Sequence, residues 1–131
     1  MSKAPIVEQY MTRMPHMIEP EAPLEAAHKL MRKFQIRHLP VLEGSDLVGL
    51  LSIRDLHLLE TLKDVNVKTV SVAEAMSPKP YVVEPNTRIN EIAAKMAAEK
   101  IGSAVVIDEG KVVGIFTTID ALIAYIHIYK P

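Results

Sequence analysis

The sequence predicts an α/β (α+β) fold made of two copies of one β-α-β-β-α unit. The chain of 131 residues matches itself without a gap when residues 7–57 are set against residues 72–122. Hydrophobic residues make up 49% and charged residues 24%, as in globular proteins. Because one copy of about 50 residues could bury little surface alone, we expect the two sheets to pack together as one compact module with pseudo-two-fold symmetry.

The repeat rests on residues that recur at a constant offset of 65 positions. The opening turn VEQYM, Val7–Met11, returns as VAEAM, Val72–Met76, and the pairs Glu-Pro and Val-Gly follow at the same offset in both copies. A match of this length without an insertion is not expected by chance. An internal repeat indicates that the fold is built from copies of one structural unit. We therefore assign repeat 1 to residues 7–62, a linker to residues 63–71 and repeat 2 to residues 72–129.

Each repeat is predicted to begin with a short extended segment followed by a helix. A Glu-Pro pair ends the extended segment, because the residue before a proline is disfavoured in helical conformation. Apolar residues then follow the 3.6-residue period of an amphipathic helix. Pro23 suits the first turn of the first helix, and Thr87 is the expected N-cap of the second. The extended segments are His16–Ile18 and Tyr81–Val83, and the apolar helix positions run from Leu24 to Phe34 and from Ile89 to Ala97.

Each repeat then continues with a β-hairpin and closes with a second helix. In both copies β-branched residues flank a short turn that contains glycine, which is typical of a hairpin. We predict hairpin strands at 38–42 and 46–51 and at 103–107 and 111–116, three-residue turns at 43–45 and 108–110, and helices from Ile53 to about Leu62 and from Thr118 to about Tyr129.

The junction between each hairpin and its closing helix carries the residues most suited to chemistry. Both copies read Gly, two apolar residues, Ser or Thr, two further residues and Asp, ending at Asp55 and at Asp120. One interpretation is helix capping, with Ser52 or Thr117 as the N-cap and the acid at the third helical position. The other is ligand binding, because a helix N-terminus attracts anions and a nearby acid accepts hydrogen bonds from a ribose diol. The same residues can serve both roles.

Composition and charge exclude several classes of function. The chain has no Cys, which rules out disulfides, thiolate metal sites and thiol nucleophiles. Its net charge of -1 lacks the basic excess of a nucleic-acid-binding protein. The longest apolar run, Ala121–Ile126, is far shorter than the ~20 residues that span a bilayer, and Met1–Pro5 has no signal-peptide character. We therefore expect a soluble, cytoplasmic protein.

The histidines and methionines favour structural roles. The five histidines show no chelating spacing along the chain, so no metal site is predicted. His28 lies near the apolar stripe of its helix and is interpreted as a packed residue. Four methionines fall at equivalent positions of the two copies and are assigned to the core, namely Met11, Met31, Met76 and Met96.

With these motifs the sequence resembles a tandem pair of CBS domains, the cystathionine-β-synthase type, over about residues 7–128. The resemblance rests on the duplicated Gly-x-x-Ser/Thr-x-x-Asp, on the segments Ile36–Val41 and Ile101–Val106, and on Met-Thr or Met-Ser before a proline. The family implies two sheets packed face to face with two clefts. It also implies that these clefts bind adenosine derivatives, namely AMP, ADP, ATP or S-adenosylmethionine, and that no further cofactor is required.

The resemblance assigns a binding role to each matching residue. Asp55 and Asp120 would bind the ribose hydroxyls, one in each cleft, and Ser52 and Thr117 would contact the phosphate. Arg54 lies where many members carry an arginine for phosphate, and a planar guanidinium matches phosphate oxygens. The other candidate ligand-binding residues are Arg37, His38, Ser103, Thr118, His16 and Tyr81.

The two copies differ in charge at these positions. Where copy one has Arg37, His38 and Arg54, copy two has Gly102, Ser103 and Ile119. The first cleft is therefore the better candidate for a phosphorylated ligand, whereas the second is expected to bind a less charged adenosine compound, to bind weakly or to stay empty. The alternative is that the two arginines pair with surface acids.

The predicted function is that of a stand-alone regulatory module that binds an adenine nucleotide and signals to a partner protein in trans. The last helix is apolar on more than one face, so it is either buried within the protomer or part of an interface; the family favours a homodimer. A dimerisation scaffold with empty clefts is the alternative from another class. No enzymatic activity is expected, because 131 residues leave no room for a catalytic domain.

Overall fold

The computed structural model describes residues 4–62 and 64–130 and contains the β-α-β-β-α order twice. Met1–Lys3 of the N-terminus and Lys63 of the expected linker lie outside the described residues. The elements in chain order are a 3₁₀ helix at Val7–Gln9, β1 (Thr12–Arg13), α1 (Leu24–Phe34), β2 (His38–Glu43), β3 (Asp46–Ser52), α2 (Ile53–Glu60), α3 (Val72–Ala75), β4 (Val82–Val83), α4 (Ile89–Glu99), β5 (Ser103–Asp108), β6 (Lys111–Thr117) and α5 (Thr118–Ile128).

The chain divides into two compact units that are offset from the sequence repeats. The first, which we call the continuous unit, runs from His16 to Pro80. The second, which we call the split unit, joins the segment ending at Pro15 to the segment beginning at Tyr81. The opening turn of each repeat therefore packs with the other repeat's hairpin and helices, and the unit boundaries fall at residues 15 and 80 rather than in the expected linker.

Both units contain the same strand arrangement, in different degrees of completeness. In the split unit the sheet order is β1-β6-β5-β4, with β4 parallel to β5 and the other pairs antiparallel. In the continuous unit β2 and β3 form an antiparallel pair, and the two outer positions are reduced to single bridges. These bridges join Ile18 to Val41 in parallel and Leu50 to Ser77 antiparallel.

The hairpin turns are one residue shorter than predicted. Glu43 and Asp108 are the last residues of their strands, which leaves two-residue loops. Gly44 has φ +65, and both Glu109 and Gly110 have positive φ, at 49 and 80. Two-residue loops of this kind match the right-handed twist of the paired strands, which explains why they replace the predicted three-residue turns.

The helix boundaries contain one clear correction. The N-cap of α4 is Arg88 and not Thr87, because the Thr87 hydroxyl accepts a hydrogen bond from the Glu84 N–H at 3.2 Å within the preceding turn. Pro23 lies at the N-cap of α1, one position before the predicted first turn. Both α2 and α5 end slightly earlier than predicted, at Glu60 and Ile128.

Each unit has its own apolar core. Met11, Met31 and Met96 are buried as predicted, and Met76 is partly buried against the core of the continuous unit. In both units a strand glycine makes room for a methionine, since a Cβ on Gly49 would collide with Met76 and one on Gly114 with Met11. The fully buried side chains include Leu24, Leu39, Val41, Leu51, Leu56 and Val72 in the continuous unit and Val7, Ile92, Ala104, Val106 and Phe116 in the split unit.

Candidate functional site

The strand–helix junction of the continuous unit contains the predicted hydroxyl and acid in direct contact. Ser52 is the N-cap of α2, and its Oγ accepts a hydrogen bond from the Asp55 N–H at 3.1 Å. The same hydroxyl donates to Asp55 Oδ2 at 2.9 Å. The capping interpretation is therefore realised here, yet Asp55 is only half-buried and its carboxylate retains acceptor capacity for a ligand.

The equivalent junction of the split unit holds its acid more tightly. Thr117 and Asp120 form a reciprocal capping box, in which the Thr117 N–H donates to Asp120 Oδ2 at 2.9 Å. The Thr117 hydroxyl lies 3.2 Å from the same oxygen, and the Thr12 hydroxyl donates to the carboxylate at 3.3 Å. Asp120 is 9% exposed. More of its acceptor capacity is therefore used within the protein than is the case for Asp55.

Basic residues and a histidine flank the junction of the continuous unit along the chain. His38 is the β-sheet partner of Ser52, and the Arg37 carbonyl accepts the N–H of Ile53, the first residue of α2, at 2.8 Å. Burial lowers the pKa of His38, the neighbouring Arg37 charge lowers it further, and Asp55 acts in the opposite direction. Arg37, His38 and Asp55 thus interact electrostatically at one end of the hairpin.

The two arginines of this junction are exposed, and neither forms a salt bridge with another described residue. The ion pairs found among residues 4–62 and 64–130 involve other side chains. Within the described ranges, Arg37 and Arg54 do not form the surface pairs that were the alternative explanation for them. They are free to meet an anion from solution.

At the corresponding place in the split unit a buried hydroxyl replaces the basic group. Ser103 is the β-sheet partner of Thr117 and is 2% exposed. Its Oγ has no hydrogen-bond partner in the described part of the chain. An unsatisfied buried hydroxyl is unfavourable by roughly 1–3 kcal/mol. Thr118, also predicted as a site residue, is exposed, and its N–H donates to the Gly102 carbonyl at 3.3 Å.

His16 and Tyr81 lie apart from the hydrogen-bonded junctions. The His16 ring stacks on Phe34 with ring centroids 3.8 Å apart, within the continuous unit. The ring of Tyr81 lies under the ammonium of Lys95 at 4.9 Å, and the Tyr81 carbonyl accepts the N–H of Val105. Among the described residues neither side chain hydrogen-bonds to a junction, so their predicted ligand contacts stay predictions.

Sequence reasoning missed the contribution of Thr12 to the second junction. Thr12 is not among the predicted site residues, whereas its hydroxyl contacts Asp120 across 108 positions of sequence. The signal that could have indicated it is the repeated Met-Thr or Met-Ser before proline, which puts a hydroxyl at the same place in both copies.

Comparison with protein families and known structures agrees with this architecture. The model of the CBS domain matches residues 7–59 and again residues 72–127. The chain is 31% identical over 121 residues to inosine-5'-monophosphate dehydrogenase of Korarchaeum cryptofilum, covering 92% of this chain and 24% of that protein. The chain thus spans about a quarter of the length of this curated relative.

Two solved structures of similar fold were determined with adenine nucleotides. One is CBSX2 in complex with AMP, with a TM-score of 0.83, 26% identity, and coverage of 96% of this chain and 99% of that chain. The other is the CBS domain of a bacterial CNNM/CorC family Mg²⁺ transporter in complex with ATP, with a TM-score of 0.80, 29% identity, and coverage of 93% and 87%. In the described part of this chain, the helices are too short or too polar to cross a membrane.

Proposed function

We propose that this chain, which belongs to the CBS-domain family, binds an adenine nucleotide at the strand–helix junction of the continuous unit. AMP, ADP and ATP are the candidate ligands. Nucleotide binding would shift the chain towards one of two conformations, which a partner protein recognises. The size of this shift is limited by the difference in nucleotide affinity between the two conformations.

The observation that carries the proposal is the combination of groups at this junction. Ser52 and Asp55 are hydrogen-bonded to each other at the N-terminus of α2, where free N–H groups and the helix dipole favour a phosphate. Arg37, Arg54 and His38 add positive or protonatable groups, and both arginines are exposed and free of ion pairs among the described residues. A carboxylate for ribose beside cations for phosphate is the pattern a nucleotide requires.

The AMP complex and the ATP complex of the two similar proteins support the same ligand class. The split unit is a weaker candidate for a phosphorylated ligand, because it has Gly102, Ser103 and Ile119 at the positions of the basic residues. Its buried, unsatisfied Ser103 hydroxyl is better suited to an uncharged group of an adenosine compound.

Isothermal titration calorimetry of the full chain with AMP, ADP and ATP tests the proposal. We expect saturable binding that Asp55→Ala and Arg37→Gln weaken at least about tenfold, since hydrogen bonds to charged groups contribute about 1.5–3 kcal/mol. Arg32→Gln, which removes an exposed arginine of α1 in the same unit, should leave binding unchanged. Absence of binding at millimolar nucleotide, or unchanged binding in Asp55→Ala, would contradict the proposal. Preference for S-adenosylmethionine would replace the nucleotide by another adenosyl ligand.

We further propose a homodimer formed through α5. Along this helix only Asp120 and Ala124 are buried, which favours an interface over a helix buried within its own chain. Large apolar residues are exposed instead, among them Leu122 at 59%, Tyr125 at 62% and Ile126 at 61%. An exposed apolar face of this kind is typical of an interaction surface. Sedimentation analysis with and without AMP distinguishes the nucleotide-binding module from the dimerisation scaffold. A dimer that binds no adenosine compound would favour the scaffold.

No catalytic role is part of this proposal. The dehydrogenase relative is matched over 24% of its length, in the region where the CBS-domain model also matches this chain. A cytoplasmic location remains the prediction made from the sequence.

A further inference from the structure

We propose that His28, His57 and Glu60 form a binding site for a divalent transition-metal ion, with Zn²⁺ as the ion that suits the donor set best. The site lies within the continuous unit and is separate from the residues of the proposed nucleotide site. Nothing in the spacing of the five histidines along the sequence indicated it.

The packing of α1 against α2 brings the three side chains together. His57 and Glu60 are three residues apart on α2 and therefore share a helix face. His28 reaches them from α1, and its Nδ1 lies 2.8 Å from Glu60 Oε2. The rings of His28 and His57 have centroids 6.0 Å apart, and one ligand atom from each of the three residues lies within 4.8 Å of the others.

Two imidazoles and one carboxylate are a donor set that Zn²⁺ accepts. Zn²⁺ binds His nitrogen and carboxylate oxygen at about 2.0–2.2 Å in tetrahedral geometry, which places donor atoms about 3.3 Å apart. His28 Nδ1 and Glu60 Oε2 are 2.8 Å apart, closer than this, so they must move slightly apart to admit an ion. The ligand atom of the exposed His57 lies within 4.8 Å of theirs and must move closer to join them. Mg²⁺ and Ca²⁺ prefer oxygen ligands, so the imidazoles favour a transition metal. Three protein ligands leave the fourth position to water.

The cluster is particular to one copy of the repeat. The positions in copy two that correspond to His28, His57 and Glu60 are Ala93, Leu122 and Tyr125, none of which has a side chain suited to Zn²⁺. Residues of α4 and α5 still share one apolar core without these ligands, so the fold alone does not require them. A simple ion pair would need only His28 and Glu60, whereas the structure adds a second imidazole beside them.

A bound ion would tie α1 to the last turns of α2. Because a ligand that binds only the folded state stabilises it by mass action, Zn²⁺ should raise the midpoint of thermal unfolding of the full chain. The His57 side chain makes no hydrogen bond within the described part of the chain, so His57→Ala removes a ligand and leaves the His28–Glu60 contact in place. This variant separates metal binding from folding.

The test is calorimetric titration of the chelator-treated full chain with ZnCl₂, together with Co²⁺ absorption spectra. We expect one Zn²⁺ per chain, a tetrahedral Co²⁺ spectrum and no comparable binding of MgCl₂. His57→Ala and Glu60→Gln should each weaken Zn²⁺ binding at least about tenfold, since even groups that only orient metal ligands typically contribute 10–100-fold. The matched control is His127→Ala, which removes an exposed helical histidine of the split unit. No saturable binding, or an affinity unchanged by His57→Ala or by Glu60→Gln, would overturn the proposal.

Discussion

Two equivalent aspartates should differ in what they contribute. Asp120→Ala should lower the free energy of unfolding more than Asp55→Ala, whereas Asp55→Ala should weaken nucleotide binding more. Asp120→Ala deletes a carboxylate that accepts hydrogen bonds from the Thr117 N–H, the Thr117 hydroxyl and the Thr12 hydroxyl. Asp55→Ala deletes a carboxylate bonded to the Ser52 hydroxyl alone among the described residues. Both changes remove an acid from the same helical position, so the helix-dipole contribution cancels in the comparison.

The magnitudes follow from the bonds that are lost. The 2.9 Å bond from the Thr117 N–H to a largely buried carboxylate contributes about 2 kcal/mol, and the two longer hydroxyl bonds add about 0.5 kcal/mol each. Asp120→Ala should therefore lower the free energy of unfolding by about 3 kcal/mol. Asp55→Ala loses one bond at a half-exposed site and keeps the Ser52 cap, which gives about 1 kcal/mol.

Urea denaturation measured by circular dichroism gives these differences, and AMP calorimetry gives the binding. We expect Asp55→Ala to impair AMP binding and Asp120→Ala to leave it nearly intact when the protein remains folded. Thr12→Val, which removes only one hydroxyl bond, should lie close to the wild type, at about 0.5–1 kcal/mol. Equal destabilisation by the two Ala variants, within about 0.5 kcal/mol, would refute the hydrogen-bond reasoning.

Three further predictions concern close packing, pH and the exposed helix. Gly49→Ala should lower the unfolding free energy more than Gly114→Ala, by about 1–3 kcal/mol, because a Cβ at residue 49 would lie 2.8 Å from the Ser77 carbonyl oxygen. A Cβ at residue 114 meets only the flexible side chain of Met11, and equal losses of the two variants in urea denaturation would contradict this reasoning. Burial lowers the pKa of His38 from its ordinary value of 6.5, so the unfolded state binds more protons near that pH, and the free energy of unfolding should fall as pH is lowered from about 7 through 6.5. A His38→Gln variant with the same pH dependence would show that another group is responsible. Leu122→Lys should abolish the proposed dimer in sedimentation experiments and leave the chain folded, since this side chain is exposed. A dimer that persists in this variant would assign the interface elsewhere.

Local patterns predicted the parts of the site that lie close together in sequence. Ser52 and Asp55, or Thr117 and Asp120, are three residues apart, so helix-capping chemistry alone indicates their contact. The hairpins were predicted for the same reason, since their strands are separated by two residues. The Thr87 error shows the limit of this reasoning, because a threonine near a helix start can equally bond the preceding turn.

The contacts that escaped prediction join segments far apart in sequence. β1 has two residues and pairs with β6, about a hundred positions later, and two residues are too few to show any hydrophobic period. The Thr12–Asp120 bond and the assignment of the N-terminal segment to the split unit depend on that pairing. The His28–His57–Glu60 cluster depends in the same way on the packing of α1 against α2.

The interleaved chain also sets the order in which the two units can form during synthesis. The continuous unit is complete once Pro80 has left the ribosome, and domains generally fold as they emerge. The segment before Pro15 must wait for β6, and this long loop closure slows its pairing. A nascent chain halted when Pro80 has just emerged would therefore carry one folded unit and an N-terminal segment whose β-sheet partner has not yet emerged.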